Sequence, residues 1–190
     1  MSAQMSKTRI LLECAMMIAM STVLSMVKLY DAPMGGSVTL CSMLPLLLAS
    51  HRHGLRWGLL TALTHSLLQL LLGLDNLSYC PTFRTILICI LFDYIIAYTV
   101  MGLQCAVERR FKNPHAGAAA GAVILSLLRL LCSFISGVAI WGVWAPEGMP
   151  VWLYSISYNA GYMLPEMLLT AIAAALLFPA LDAGARRAEG

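Results

Sequence analysis

Six apolar runs separated by short polar breaks make up most of this 190-residue chain. They cover approximately residues 10–30, 38–50, 55–74, 83–107, 117–141 and 156–181. A helix needs about 20 predominantly apolar residues to cross a bilayer, and all the runs except the second reach that length. Only 11% of the residues are charged, where a soluble domain of this size carries roughly 25%. The pattern predicts an all-α integral membrane protein with six transmembrane helices. No polar linker divides it, so residues 1–190 form a single membrane-embedded domain. The first run is long enough to span, which predicts a retained helix rather than a cleaved leader.

Lysine and arginine set the orientation. With the N-terminus inside, Lys7, Arg9, Arg52, Arg56, Arg109, Arg110, Lys112, Arg186 and Arg187 are cytoplasmic, and Lys28 and Arg84 lie outside near helix ends. Both termini are then cytoplasmic. The second run follows MetGlyGlySer at Met34–Ser37, which looks like a loop dipping toward the core, and Pro45 is expected to kink it. The net charge of +3 is no nucleic-acid signal. Cys14, Cys41, Cys80, Cys89, Cys105 and Cys132 include no Cys-x-x-Cys pair and read as small apolar residues rather than metal ligands or disulfides. No cofactor is implied. The chain shows no internal repeat and no Walker A loop. Active transport by it would require ATPase partners on other chains.

Polar residues concentrate between Arg129 and Asn159, and polar groups in hydrocarbon mark functional sites by default. Arg129, Ser133, Gly137 and Trp141 are spaced four apart, one stripe on a helix, and would make a wall for a flat, polar small molecule. Asp93, Arg129 and Glu166 each lie ten or so residues below the outer end of a run, about 15–18 Å down at helical rise. Two acids and one base leave a negative charge that a bound monocation would balance. Alternatively, Arg129 pairs with one acid and the other is protonated.

Asp93 is followed by Tyr94, with Tyr98 four residues on. Tyr154, Tyr158, Asn159, Tyr162 and Glu166 continue a polar stripe down the last run. Packing or an interfacial belt would also account for single tyrosines, but an asparagine in a span needs partners for its amide. His65 reads as a helix–helix hydrogen bond. His51 and His53 read as a solvated basic turn, and Trp144 and Trp152 as interface anchors. Ala15 and Ala19 form a small-xxx-small pair that permits close approach of another helix.

Together these residues resemble the thiamine-specific substrate-binding (S) component of energy-coupling-factor (ECF) transporters, the ThiT family. The likeness covers nearly the whole chain. It is carried by GlyGlySerValThrLeu at 35–40 leading into MetLeuProLeu at 43–46, by PheAspTyrIleIleAlaTyr at 92–98, and by SerLeuLeuArg at 126–129 through IleSerGly at 135–137. AlaPro at 145–146 and ProValTrpLeuTyrSerIleSerTyrAsn at 150–159 complete it. The resemblance implies a bacterial plasma-membrane protein whose outward-opening pocket is capped by the first loop and lined by the fourth to sixth helices.

It maps the family's acidic-aromatic pair onto Asp93 and Tyr94, and its basic position onto Arg129. Its glycine and stacking aromatic fall on Gly137 and Trp141, and its tyrosine and asparagine on Tyr154 and Asn159. Its docking pair falls on Ala15 and Ala19. The implied partners are thiamine, an ECF transmembrane coupling subunit, two ATPase subunits and the lipid bilayer. Three positions depart from the family pattern. Ser133 replaces a pocket histidine, Gly36 aligns near a first-loop tryptophan, and Asp93 stands where some members have glutamate. Tyr158 and Ser133 complete the candidate ligand set.

The expected function is high-affinity capture of thiamine for an ATP-driven importer, with no reaction catalysed. The alternatives are an S component for another flat vitamin or precursor, such as hydroxymethylpyrimidine, or a small intramembrane enzyme. The last lacks the paired aspartates or the Gly-x-Ser-Gly that such chemistry requires.

Overall fold

The computed structural model describes residues 6–31 and 36–188. Along the chain come α1 (Lys7–Met26), β1 (Lys28–Asp31), β2 (Ser37–Thr39), α2 (Leu44–Leu72) and a 3-10 turn (Leu74–Tyr79). Next are α3 (Phe83–Ile88), a π-helical turn (Cys89–Ile95), α4 (Ile96–Thr99), a 3-10 turn (Val100–Leu103) and α5 (Gln104–Glu108). Finally come α6 (Pro114–Ala139), a 3-10 turn (Trp141–Trp144) and α7 (Val151–Ala188). Elements α3 to α5 run on as one rod, Phe83–Glu108. Gly54 adopts φ 81 and ψ −177 and folds α2 into two arms. The described residues therefore form six helical rods, in line with the six apolar runs.

Several boundaries differ from the sequence pattern. The first loop contains an antiparallel pair, with Tyr30 opposite Val38 and Asp31 opposite Ser37. Met34 and Gly35 of the expected MetGlyGlySer turn lie outside the described residues. The 38–50 run begins extended and becomes helical only at Leu44. Pro45 does not kink that helix. It sits in the first turn, where its missing N–H costs no bond, and the bend falls at Gly54, whose positive φ suits glycine. The last helix starts at Val151, ahead of the apolar run, and carries Trp152 on an exposed face.

The first arm of α2 has about ten residues, so it rises only about 15 Å, half the hydrocarbon thickness. It is enclosed by protein: Leu46, Leu47, Ala49 and Ser50 are fully buried. Leu46 and Leu47 join Met101, Leu125 and Phe178 in the central core. Where the Val100–Leu103 turn interrupts the regular ladder, Ser50 Oγ donates to Gly102 O (2.6 Å) and accepts from Cys105 N (3.2 Å). That supplies the bonds hydrocarbon cannot.

At the end bearing the basic residues, His51 Nδ1 meets Glu108 (3.0 Å) and His51 Nε2 meets Asp182 (3.3 Å), with the His51 ring stacked on Phe178. Glu13 pairs with Arg9, Arg52 and His53 at 3.2, 3.4 and 3.1 Å. The expected solvated turn is instead a knot of ion pairs joining α1, α2, α5 and α7. Its acids come from positions far away in sequence. His65 behaves as expected, meeting Ser21 Oγ at 3.4 Å and Gln69 Nε2 at 3.3 Å.

Two rods cross backbone to backbone at Gly58 and Gly102. A Cβ on Gly102 would fall 2.6 Å from Gly58 O and 2.7 Å from Leu59 Cα, both backbone atoms unable to yield alone. Gly102→Ala should therefore destabilise the protein by about 1–3 kcal/mol. A lower thermal midpoint of the detergent-purified variant checks this, and an unchanged midpoint would place the crossing elsewhere.

Candidate ligand-binding site

A cavity of about 260 Å³ opens among the ends of the rods opposite the ion-pair knot. Residues from α1, the first loop, α2, the Phe83–Glu108 rod, α6 and α7 all reach it. Every residue of the candidate ligand set lines it: Asp93, Tyr94, Arg129, Ser133, Gly137, Trp141, Tyr154, Tyr158 and Asn159. Glu166 lines it too, so the three deep charges converge on one space.

Asp93 and Tyr94 lie in the π turn. Such turns insert an i→i+5 bond into a helix and recur at functional sites. Asp93 Oδ2 accepts from Ser136 Oγ (2.6 Å) and from the Trp141 indole N–H (3.5 Å). The indole also leans on Tyr79, with ring centroids 5.8 Å apart. Trp141 is not the fourth rung of a helical stripe, because α6 ends at Ala139 and Ile140 leaves helical geometry at φ −122 and ψ −55. A following 3-10 turn carries the indole to the cavity instead.

Arg129 lies 5.0 Å from the centroid of the Tyr98 ring, a cation–π arrangement. Among the described residues no carboxylate is within ion-pair distance of it, so the alternative in which Arg129 pairs with one of the two acids is not realised. Glu166 is buried and accepts instead from the hydroxyls of Thr39 and, at 3.0 Å, Ser42.

Other members of the candidate set are hydrogen-bonded within the protein as well. The Tyr94 hydroxyl donates to Gly73 O (3.1 Å) and accepts from Asn76 Nδ2 (2.8 Å), which fastens the 74–79 turn to the π turn. Asn159 Nδ2 donates to Ser155 O (2.9 Å) and Ser133 O (3.4 Å), and Asn159 Oδ1 accepts from Tyr162 (2.8 Å). Gly137 is buried where α6 and α7 touch; a Cβ there would collide with Ser155 and fall 3.2 Å from Asn159 Nδ2. Tyr154 and Tyr158 stack at 6.0 Å, and the Tyr158 hydroxyl accepts from Gly36 N (3.0 Å).

Sequence spacing missed Ser136, the closest partner of Asp93. It also missed Asn76 and the Thr39–Ser42 pair. Ser136 stands seven residues beyond Arg129, hence on the same helical face, and that offset could have revealed it. Ala15 and Ala19 are far from the cavity. They lie exposed on α1 among Leu11, Leu12, Met16 and Val23.

Chemically, the site offers an acid beside an indole face, a guanidinium without a carboxylate partner and several aromatic rings in a half-enclosed space. With apolar rods around it, it places the chain among multi-pass membrane proteins with a polar cavity of small-molecule size. A family model described as thiamine transporter protein matches residues 11–183, and the chain belongs to that family. The thiamine transporter ThiT of Bacillus subtilis (strain 168) is 35% identical over 179 residues, covering 88% of this chain and 89% of the relative. ThiT of Lacticaseibacillus paracasei is 35% identical over 96 residues, 46% of this chain and 48% of that protein. The solved structure of ThiT from Listeria monocytogenes shares the fold, with a TM-score of 0.72 at 24% identity over 92% of this chain and 95% of that one. The family and the apolar rods make this a multi-pass protein of the bacterial plasma membrane.

The two kinds of site residue should separate without ligand. Asn159→Ala strips Tyr162 of a buried partner and should cost about 1–3 kcal/mol of stability. Ser133→Ala should leave the ligand-free thermal midpoint near wild type. Equal midpoints for all three proteins would contradict the bonding described for Asn159.

Proposed function

We propose that the chain is the thiamine-binding S component of an ATP-driven ECF importer. It captures thiamine with high affinity from the outer side and then docks on a membrane coupling subunit with two ATPases. It catalyses no reaction. The observation that carries this reading is the carboxylate of Asp93 held against the indole of Trp141, within a cavity lined by tyrosines. Thiamine combines a permanently cationic thiazolium with a flat aminopyrimidine. A carboxylate offsets such a cation or accepts from the exocyclic amine. An indole face adds about 0.5–2 kcal/mol of cation–π attraction. Asp93, Arg129 and Glu166 sum to one negative charge, which a bound monocation balances. A neutral precursor such as hydroxymethylpyrimidine gains nothing from that balance.

The docking half of the reading rests on α1. Its outward face, from Leu11 to Val23, is exposed and apolar, and Ala15 and Ala19 leave a shallow strip along it for a partner helix.

Thiamine should quench tryptophan fluorescence, and Trp141→Ala should remove most of that quenching and weaken binding. Asp93→Asn forfeits a charge-assisted bond of about 1.5–3 kcal/mol, roughly 10- to 150-fold in Kd, and should weaken binding more than Glu166→Gln does. Titration of each folded variant with thiamine measures both effects. Unchanged affinity in Asp93→Asn would remove this acid from the site.

Ala15→Trp and Ala19→Trp should leave thiamine affinity nearly intact and abolish uptake in cells carrying the coupling subunit and ATPases. Normal uptake by both would exclude this face as the docking surface. Lost binding would mean that the alanines support the pocket.

A further inference from the structure

The segment from Gly36 to Met43 forms one wall of the cavity, and a buried acid on another element holds it there. Glu166 Oε1 accepts hydrogen bonds from Thr39 Oγ1 and from Ser42 Oγ. The two hydroxyl oxygens lie 2.7 Å apart. That is itself hydrogen-bond distance, so the two hydroxyls and Glu166 Oε1 form one closed cluster. A carboxylate oxygen has lone pairs for two donors, and bonds to a charged acceptor are roughly twice as strong as neutral ones.

The rest of the turn is shaped around this contact. Ser42 N donates to Thr39 Oγ1 (3.4 Å), Cys41 N donates to Thr39 O (2.9 Å), and Cys41 takes a positive φ of 54 to allow it. The Ser42 carbonyl is held from the other side by Ser21 Oγ of α1 at 2.6 Å. Glu166, which also lines the cavity, is thus engaged by two hydroxyls of this wall.

We propose that Glu166 is a positioning residue: through Thr39 and Ser42 it pins the Gly36–Met43 wall to α7, and it sets the rates at which thiamine enters and leaves. The thiamine part rests on the function proposed above; the pinning itself does not. Release of the wall requires both hydroxyls to leave the carboxylate, so loss of either donor or of the negative charge frees it more often.

Cys41 reports on this directly. It lies on the wall and is only partly buried, whereas the other five cysteines are buried. The purified full chain, without ligand, is treated with N-ethylmaleimide, and modification of Cys41 is followed by mass spectrometry. Thr39→Val and Glu166→Gln should each raise the labelling rate roughly tenfold, the scale set by one charge-assisted bond. The double variant should label no faster than the faster single one, because both changes remove the same tether. Glu166→Gln also alters the charge beside Cys41. Thr39→Val leaves that charge in place, so it decides the matter, including where Glu166→Gln does not fold. Labelling of Thr39→Val at the wild-type rate overturns the proposal.

With thiamine bound, stopped-flow release should be faster in both variants. Weakened binding in Glu166→Gln alone, with wild-type release from Thr39→Val, would make Glu166 a direct ligand and also overturns the proposal. If the wild-type protein binds no thiamine, the functional reading falls, while labelling of the ligand-free protein still decides whether Glu166 pins the wall.

Discussion

Hydrocarbon supplies no hydrogen bonds, so every backbone group of a membrane-embedded segment must find its partner within the protein or in a water-filled cavity. The architecture of this chain follows from how its departures from regular helix meet that demand. The extended stretch before Leu44 lies along the cavity and against α7. The Val100–Leu103 turn is served by Ser50 from a neighbouring rod. The π turn that holds Asp93 and Tyr94 lies under the cavity, with Tyr94 tied to Gly73 and Asn76. Two of these departures, the extended stretch and the π turn, border the polar cavity, whereas the Val100–Leu103 turn is satisfied within the packed core.

That arrangement links folding to recognition. Asp93 accepts from both Ser136 and Trp141, so the acid and the indole are presented to the cavity as a unit. Asn159 and Gly137 serve the α6–α7 contact and the cavity wall at once. Arg129 takes the face of Tyr98 in place of a carboxylate, which leaves guanidinium donors for a guest.

The six rods were legible because apolar run length is a direct consequence of bilayer thickness. Much of the cavity lining was legible because polar residues in such runs are conspicuous: Asp93, Arg129 and Asn159 stand out against their neighbours, and all reach the cavity. What could not be read depends on contacts distant in sequence. Thr39 and Ser42 meet Glu166 across more than a hundred residues. His51 and His53 look like a solvated basic turn locally, yet Glu108, Asp182 and Glu13 come from other rods to pair with them. Trp141 shows a subtler failure. The four-residue spacing placed it in the cavity by extending a helix that stops at Ala139, and a 3-10 turn gives the same outcome by another path.

The central claim is that this cavity recognises a flat cation through an acid–indole pair. Isothermal titration of the purified, membrane-extracted protein with thiamine, thiamine monophosphate and free hydroxymethylpyrimidine tests it most directly. The account predicts saturable, one-to-one binding of thiamine, with hydroxymethylpyrimidine, which lacks the thiazolium charge, bound far more weakly. Equal or tighter binding of hydroxymethylpyrimidine would contradict it, because the charge balance of Asp93, Arg129 and Glu166 would then play no part in recognition.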